Sequence, residues 1–163
     1  MSGIEPINTD ILIVGGGVAG LATAIHFADL RDAGAFGEGG APLPCNILVL
    51  EKGSSIGSHT LSGAVIDPST LKELLPGVDP KDFPFESPVT KEEVYFLTPG
   101  RALRSPLTPP FMGNRGNFVV SLGKLTRWLA DIAEKKGVQL YTGFSVSEII
   151  YEDGRVAGAR TLD

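Results

Sequence analysis

The stretch TDILIVGGGVAGLATAIHFADL, residues 9–30, constrains the fold more than any other part of the chain. Residues 9–14 are a nearly continuous apolar run ending in glycines, the pattern of a strand buried on both faces of a parallel sheet. From Val18 the apolar residues fall at Val18, Leu21, Ala22, Ile25 and Ala28, a helical face that lasts to about Ala33. Residues 34–45, GAFGEGGAPLPC, are rich in Gly and Pro and carry no period, which predicts a loop or insertion. Residues 47–50 predict the next strand and close a strand–helix–strand unit, whose crossover is right-handed. A chain that opens this way is α/β.

The glycines between strand and helix carry the chemistry. Gly15, Gly17 and Gly20 fit GxGxxG: the first permits a tight turn out of the strand, the second lets the backbone approach a pyrophosphate, and the third lets the helix pack closely on the sheet. The helix N-terminus supplies unpaired N–H groups and a partial positive charge to a diphosphate. Such a turn is completed by an acid at the end of the second strand, about 20 residues on, that binds ribose hydroxyls. Glu51 stands 31 residues after Gly20, and removing the 12-residue insertion leaves 19. An acid there disfavours a ribose 2′-phosphate, so NADP is the poorer ligand, while NAD and FAD both remain.

Farther along, residues 53–117 hold most of the prolines and give only fragments, a short helix over 68–75 and a strand over 93–97. Residues 118–122 read as a strand. Leu125, Trp128, Leu129, Ile132 and Ala133 then repeat at helical spacing up to Gly137, which reads as a cap, and the stripe reads as core. A short strand over 138–141 follows, and two alternating runs around Asp153-Gly154 predict a hairpin. Composition narrows the function classes: the net charge is -5 and Lys and Arg do not cluster, which argues against nucleic acid. The single cysteine, Cys45, makes no internal disulfide and holds no metal or iron–sulfur cluster.

The segments VLEKGSSIGSHTLSGAVIDP and GNFVVSLGKLTRWLADIAEKKGVQLYTGFSVSEIIYEDGRVAGA resemble the N-terminal part of electron-transfer flavoprotein:ubiquinone oxidoreductase, with HTLSGA as the most specific element. The likeness runs from Asp10 to Asp163. It implies a Rossmann-like FAD-binding domain of the two-dinucleotide-fold type, incomplete at its C-terminus, with FAD as cofactor. Its pyrophosphate would lie on Gly15, Gly16, Gly17, Val18, Ala19 and Gly20, and its adenosine ribose on Glu51 beside Lys52. The loop holding Gly57, Ser58, His59, Thr60 and Ser62 would run along the cofactor toward the flavin, and the donors and glycines of that loop suit such contacts. Ser121 and Val146 sit where related FAD domains contact the ribityl chain and, through backbone atoms, the adenine; either also suits plain strand packing. His59 reads as a hydrogen-bonding residue, and no catalytic residue or metal ligand is assigned.

The same resemblance implies electron-transfer flavoprotein and ubiquinone as partners, a 4Fe-4S cluster only in a C-terminal part beyond this segment, and a peripheral contact with one membrane leaflet. Residues 56–77 and 106–113 are the segments expected to face a membrane, although Leu61, Val65, Ile66, Leu71, Leu74 and Leu75 equally suit an ordinary core. Residues 1–8 read as a tail. The first ten residues carry Glu5 and Asp10 and no basic residue, unlike a signal or transit peptide, so the expected location is the cytoplasmic face of a bacterial inner membrane, or the mitochondrial inner membrane if the N-terminus is processed. The apolar runs are too short to span a bilayer. A segment of this kind is expected to be inactive alone and prone to association. Two other readings stay open: the FAD-binding part of a related reductase, of the nitrogen-fixation flavoprotein or geranylgeranyl reductase type, and a non-catalytic nucleotide-binding or association module.

Overall fold

The computed structural model describes residues 6–37, 44–61 and 63–162 of the 163. Its contacts group into two units, one of residues 1–61 with 122–163 and one of residues 62–121.

In the first unit, β1 (Ile11–Val14) leads through the glycines into α1 (Val18–Asp32), and β2 (Ile47–Glu51) pairs parallel to β1 with Leu12 opposite Leu48 and Val14 opposite Leu50. After the second unit the chain returns in α3 (Leu122–Lys135) and β8 (Gln139–Thr142), which pairs parallel to β2 and gives the order β1-β2-β8. Being central, β2 is the strand buried along its length, from Ile47 to Leu50. The expectation of burial on both faces for residues 9–14 is corrected here. β1 is an edge among the described strands, its residues are half-buried, and Val14 is 60% exposed.

The helices α1 and α3 pack on one another. Leu21, Ala24, Ile25 and Ala28 of α1 are fully buried, as are Leu129 and Ala133 of α3, with Leu125 nearly so. Removing such side chains from water is worth roughly 25 cal/mol per Å² of apolar surface, so this seam is a main source of the unit's stability. Trp128, expected in the core, is only half-buried. The helix ends are pinned as well: Arg31 donates to the Lys136 carbonyl at 2.6 Å, and the Lys136 ammonium pairs with Asp29. Gly34 stops α1 with a φ of +75°, and Gly137 stops α3 with a φ of +79°. At α3 the Gly137 and Val138 N–H groups turn back to the carbonyls of Glu134 and Ala133, the geometry a glycine cap provides. The chain ends in the hairpin of β9 (Val146–Glu152) and β10 (Arg155–Thr161). Its turn holds Asp153 and Gly154 at φ 48° and 76°, both positive, as an Asp-Gly hairpin requires.

In the second unit, β7 (Phe118–Val120) lies between β3 (Ala64–Ile66) and β4 (Phe85–Pro88), antiparallel to both. The helix α2 (Pro68–Leu74) is capped by the Asp67 carboxylate, which accepts the Ser69 N–H at 2.9 Å. Leu71, Leu75, Phe83 and Val120 are the buried apolar residues, and the Phe85 and Phe118 rings stack 4.4 Å apart. A separate hairpin, β5 (Tyr95–Thr98) with β6 (Arg101–Arg104), is exposed along both strands. The strand expected over 93–97 is β5, shifted toward its turn. The strand expected over 118–122 ends at Val120, because Leu122 already begins α3.

Candidate functional site

The site lies in the first unit, at the carboxyl ends of β1, β2 and β8, where open parallel sheets present their ligand crevice. Gly15 takes the chain out of β1 with a φ of +109°, and its N–H donates to the Leu50 carbonyl at 2.7 Å. A Cβ on Gly20 would collide with the Gly15 carbonyl oxygen, so the third glycine is demanded by the helix–strand approach. Nothing lies within 4 Å of the Cβ position of Gly17, and the backbone there is open to a ligand. Gly17 is also the N-cap of α1, with no side-chain cap and no acid in the first turn. The first amides of a 15-residue helix therefore remain available to an anion. Val18 opens the helix half-buried, and Ala19 is exposed beside it.

Glu51, last residue of β2, bends its carboxylate across this turn. One oxygen accepts the Gly16 N–H at 2.9 Å and the other the Gly53 N–H at 2.7 Å, and the side chain is 15% exposed. The residue following the first glycine is therefore tied directly to the acid after the second strand. Ile56 then seats on Gly16, where a Cβ would lie 2.6 Å from the Ile56 Cδ1. Residues 57–60 continue the loop: the Thr60 N–H donates to the Gly57 carbonyl at 3.2 Å, Ser58 and His59 are exposed, and His59 Nδ1 stands 4.0 Å from the Glu51 carboxylate.

A cavity of about 190 Å³ opens beside Glu51, lined by Val14, Gly15, Leu50, Glu51, Lys52, Phe144, Ser145 and Val146. Its floor forms because the chain after β8 folds back on β2, with the Phe144 N–H on the Glu51 carbonyl at 3.0 Å and the Gly143 N–H on the Gly53 carbonyl at 2.8 Å. One acid, one base and Ser145 thus line a mostly apolar recess, an arrangement that orients a flat polar-edged ligand.

Of the residues singled out from sequence, the fold brings together the Gly15 to Gly20 turn, Glu51, Lys52, the loop of Gly57, Ser58, His59 and Thr60, and Val146. Ser121 lies between β7 and α3 and does not line the cavity. Ser62 lies outside the described residues, as does half of the 34–45 insertion, residues 38–43. Sequence reasoning missed Phe144, Ser145 and Gly53. The Gly143 preceding Phe144, with a φ of +83°, was the available signal, since a glycine just after a short strand marks a turn that can carry site residues.

No protein-family model matches the chain. It is similar to the mitochondrial electron transfer flavoprotein-ubiquinone oxidoreductase of Dictyostelium discoideum, 45% identical over 94% of this chain and 24% of that protein. The mitochondrial protein of Mus musculus is 40% identical over 96% of the chain and 24% of its own length, and a probable bacterial counterpart in Acinetobacter baylyi is 39% identical over 98% and 28%. The chain matches the N-terminal part of these proteins and spans about a quarter of their length. Among solved structures it is similar to a geranylgeranyl bacteriochlorophyll reductase-like protein of Thermoplasma acidophilum (TM-score 0.61, 25% identity, 94% of this chain, 34% of that one). The myxobacterial chondrochloren halogenase CndH, described as a variant of FAD-dependent halogenases, shares the fold at a TM-score of 0.62 and 21% identity, over 96% of this chain and 33% of its own.

Proposed function

We propose that this chain, a homologue of the N-terminal quarter of the electron transfer flavoprotein-ubiquinone oxidoreductases, is the FAD-binding part of a flavoprotein oxidoreductase. The observation that carries the reading is the joint geometry of the open Gly17 backbone, the uncapped α1 N-terminus and the Glu51 carboxylate beside the cavity. The donor set fits the group: amides for a diphosphate, a carboxylate for ribose hydroxyls, and the walls of Val14, Phe144 and Val146 for an adenine. At about 190 Å³ the cavity is smaller than the roughly 300–1,000 Å³ of whole small-molecule pockets, which matches the adenosine end of a dinucleotide. FAD, when bound, supplies the electron-transfer chemistry. The chain's own work is to bind and orient it.

In this reading Gly15, Gly16, Gly17, Val18, Ala19 and Gly20 hold the pyrophosphate, Glu51 and Lys52 the ribose and adenine edge, and Val146 the adenine. Gly57, Ser58, His59, Thr60 and Ser62 lead toward the flavin, with Ser121 near the ribityl chain. The domain is of the two-dinucleotide-fold type. The complete protein passes electrons from reduced electron-transfer flavoprotein to ubiquinone, with its 4Fe-4S cluster in the C-terminal part, at a membrane surface. The exposure of Leu107 and Phe111, 78% and 83%, supports residues 106–113 as a membrane-facing segment. No helix among the described residues is long and apolar enough to cross a bilayer. By contrast, Leu71 and Leu75 of the other proposed segment are buried in the second unit.

Absorbance of the purified chain, followed by titration with FAD and NAD under Trp128 and flavin fluorescence, tests this. Flavin absorption or micromolar FAD binding is expected. Binding of NAD with none of FAD would overturn the reading.

A further inference from the structure

The loop that covers the glycine turn carries a cation where it meets α3. Gly57, at a φ of +77°, meets the first turn of α3: a Cβ there would lie 3.2 Å from the Gly123 carbonyl oxygen and 3.6 Å from Nη1 of Arg127. A Cβ on Gly123 would in turn lie 3.5 Å from the same Nη1 and 3.9 Å from Nη2. Arg127 stands four residues after Gly123, and helical side chains lean toward the N-terminus, so its guanidinium lies over the bare backbone of the preceding turn. Both glycines leave room for it. Its five N–H donors engage no hydrogen bond or ion pair among the described residues, in contrast to Arg31, Arg104 and Arg160, which hold Asp32, Glu93 and Glu148.

Ile56, adjacent to Gly57, seats on Gly16. Two consecutive residues thus reach from the glycine turn to the guanidinium, all within the first unit. No acid stands in the first turn of α1 or of α3 to neutralise the charge. We propose that Arg127 is a binding residue of this site and pairs with the diphosphate of the dinucleotide. The planar guanidinium fork matches phosphate oxygens in bidentate geometry, and such charge-assisted bonds are stronger than neutral ones. The amides of the glycine turn and this side chain then both engage the diphosphate, which fixes the direction in which the rest of the cofactor leaves the turn. This rests on the FAD reading above.

The full chain and its Arg127→Gln and Arg127→Lys variants are titrated with FAD, ADP and adenosine at low and high salt, with thermal melts as a fold control. The Gln variant is expected to weaken FAD and ADP by about tenfold and to leave adenosine unchanged, the Lys variant to recover part of the loss, and salt to narrow the difference. All three proteins should melt together, because the exposed guanidinium has no internal partner. If Arg127→Gln binds ADP as tightly as the unaltered chain, the proposal is overturned, and equally so if FAD weakens while ADP does not. Should the unaltered chain bind neither FAD nor ADP, the FAD reading itself fails, a result distinguishable from the other two.

Discussion

Glu51 does two things with one carboxylate. A ribose ligand needs only outward-facing lone pairs, yet here each oxygen already accepts a backbone amide, Gly16 at 2.9 Å and Gly53 at 2.7 Å. The acid therefore clips the turn after β1 to the turn after β2 before any cofactor arrives. Leaving a part-buried donor without its acceptor costs ~1–3 kcal/mol. Glu51→Ala is accordingly expected to destabilise the cofactor-free chain by that order in a denaturant melt, and Glu51→Gln by less, since its carbonyl can still serve one of the two amides. An unchanged midpoint for Glu51→Ala would confine the residue to ligand binding. The ribose role proposed for Glu51 comes from spacing, once the insertion is subtracted; the clip is what the fold adds. That clip was not legible in the sequence, since residue types do not say where a backbone N–H points. The need for glycine at Gly16, which the resemblance places under the pyrophosphate, was hidden for the same reason: GxGxxG leaves that position free, and the demand comes from Ile56 and from the Glu51 Cβ 3.1 Å away.

At the scale of elements, legibility followed the length and period of the hydrophobic pattern. The helices α1 and α3 show a face repeating over several turns, and the spacing picks out Leu21, Ile25 and Ala28 of α1 and Leu125, Leu129 and Ala133 of α3 among their buried residues. The Asp153-Gly154 hairpin was readable from turn chemistry alone. Strands β3, β4 and β6 were not seen, being three or four residues long and set by pairing: β4 ends in proline and pairs with β7 through a register shift, and all four residues of β6 are exposed. What fixes the β5–β6 hairpin instead is polar. The Glu93 carboxylate accepts the Tyr95 hydroxyl at 2.6 Å and pairs with Lys91 and Arg104 at 2.9 and 3.1 Å, and these partners hold its pKa at about 2, below the ordinary 4.5. A carboxyl depressed in the folded state contributes above its unfolded pKa and loses that contribution as pH falls through the folded one. The hairpin should therefore stay intact at pH 5 and loosen between about 4.5 and 2. NMR shifts of Tyr95 and Arg104 would follow this, and a Glu93 titration centred near 4.5 would refute it.

For the molecule as a whole, the opening motif foretold the α/β class and the parallel pairing of β1 with β2. Residues 62–121, which gather into a unit of their own, were readable only in fragments, because proline-rich segments with short strands leave no continuous period. The tendency to associate expected from the sequence has a physical basis in the apolar surface the chain shows. Leu61, Leu97, Leu107 and Phe111 are each more than three-quarters exposed, and Phe96, Ile149, Tyr151 and Val156 more than half. On the first unit, β1 offers a free edge among the described strands, ending at the 60% exposed Val14. Unpaired strand edges and apolar patches both favour pairing with another chain, and a net charge of -5 spread over 163 residues opposes it only weakly. The chain is thus expected to associate. Light scattering across a concentration series should give a mass rising above 17.1 kDa, with mild detergent reversing the rise if apolar surface drives it. A constant monomer mass at high concentration would show that the edge and the exposed side chains are protected by means the contacts do not reveal.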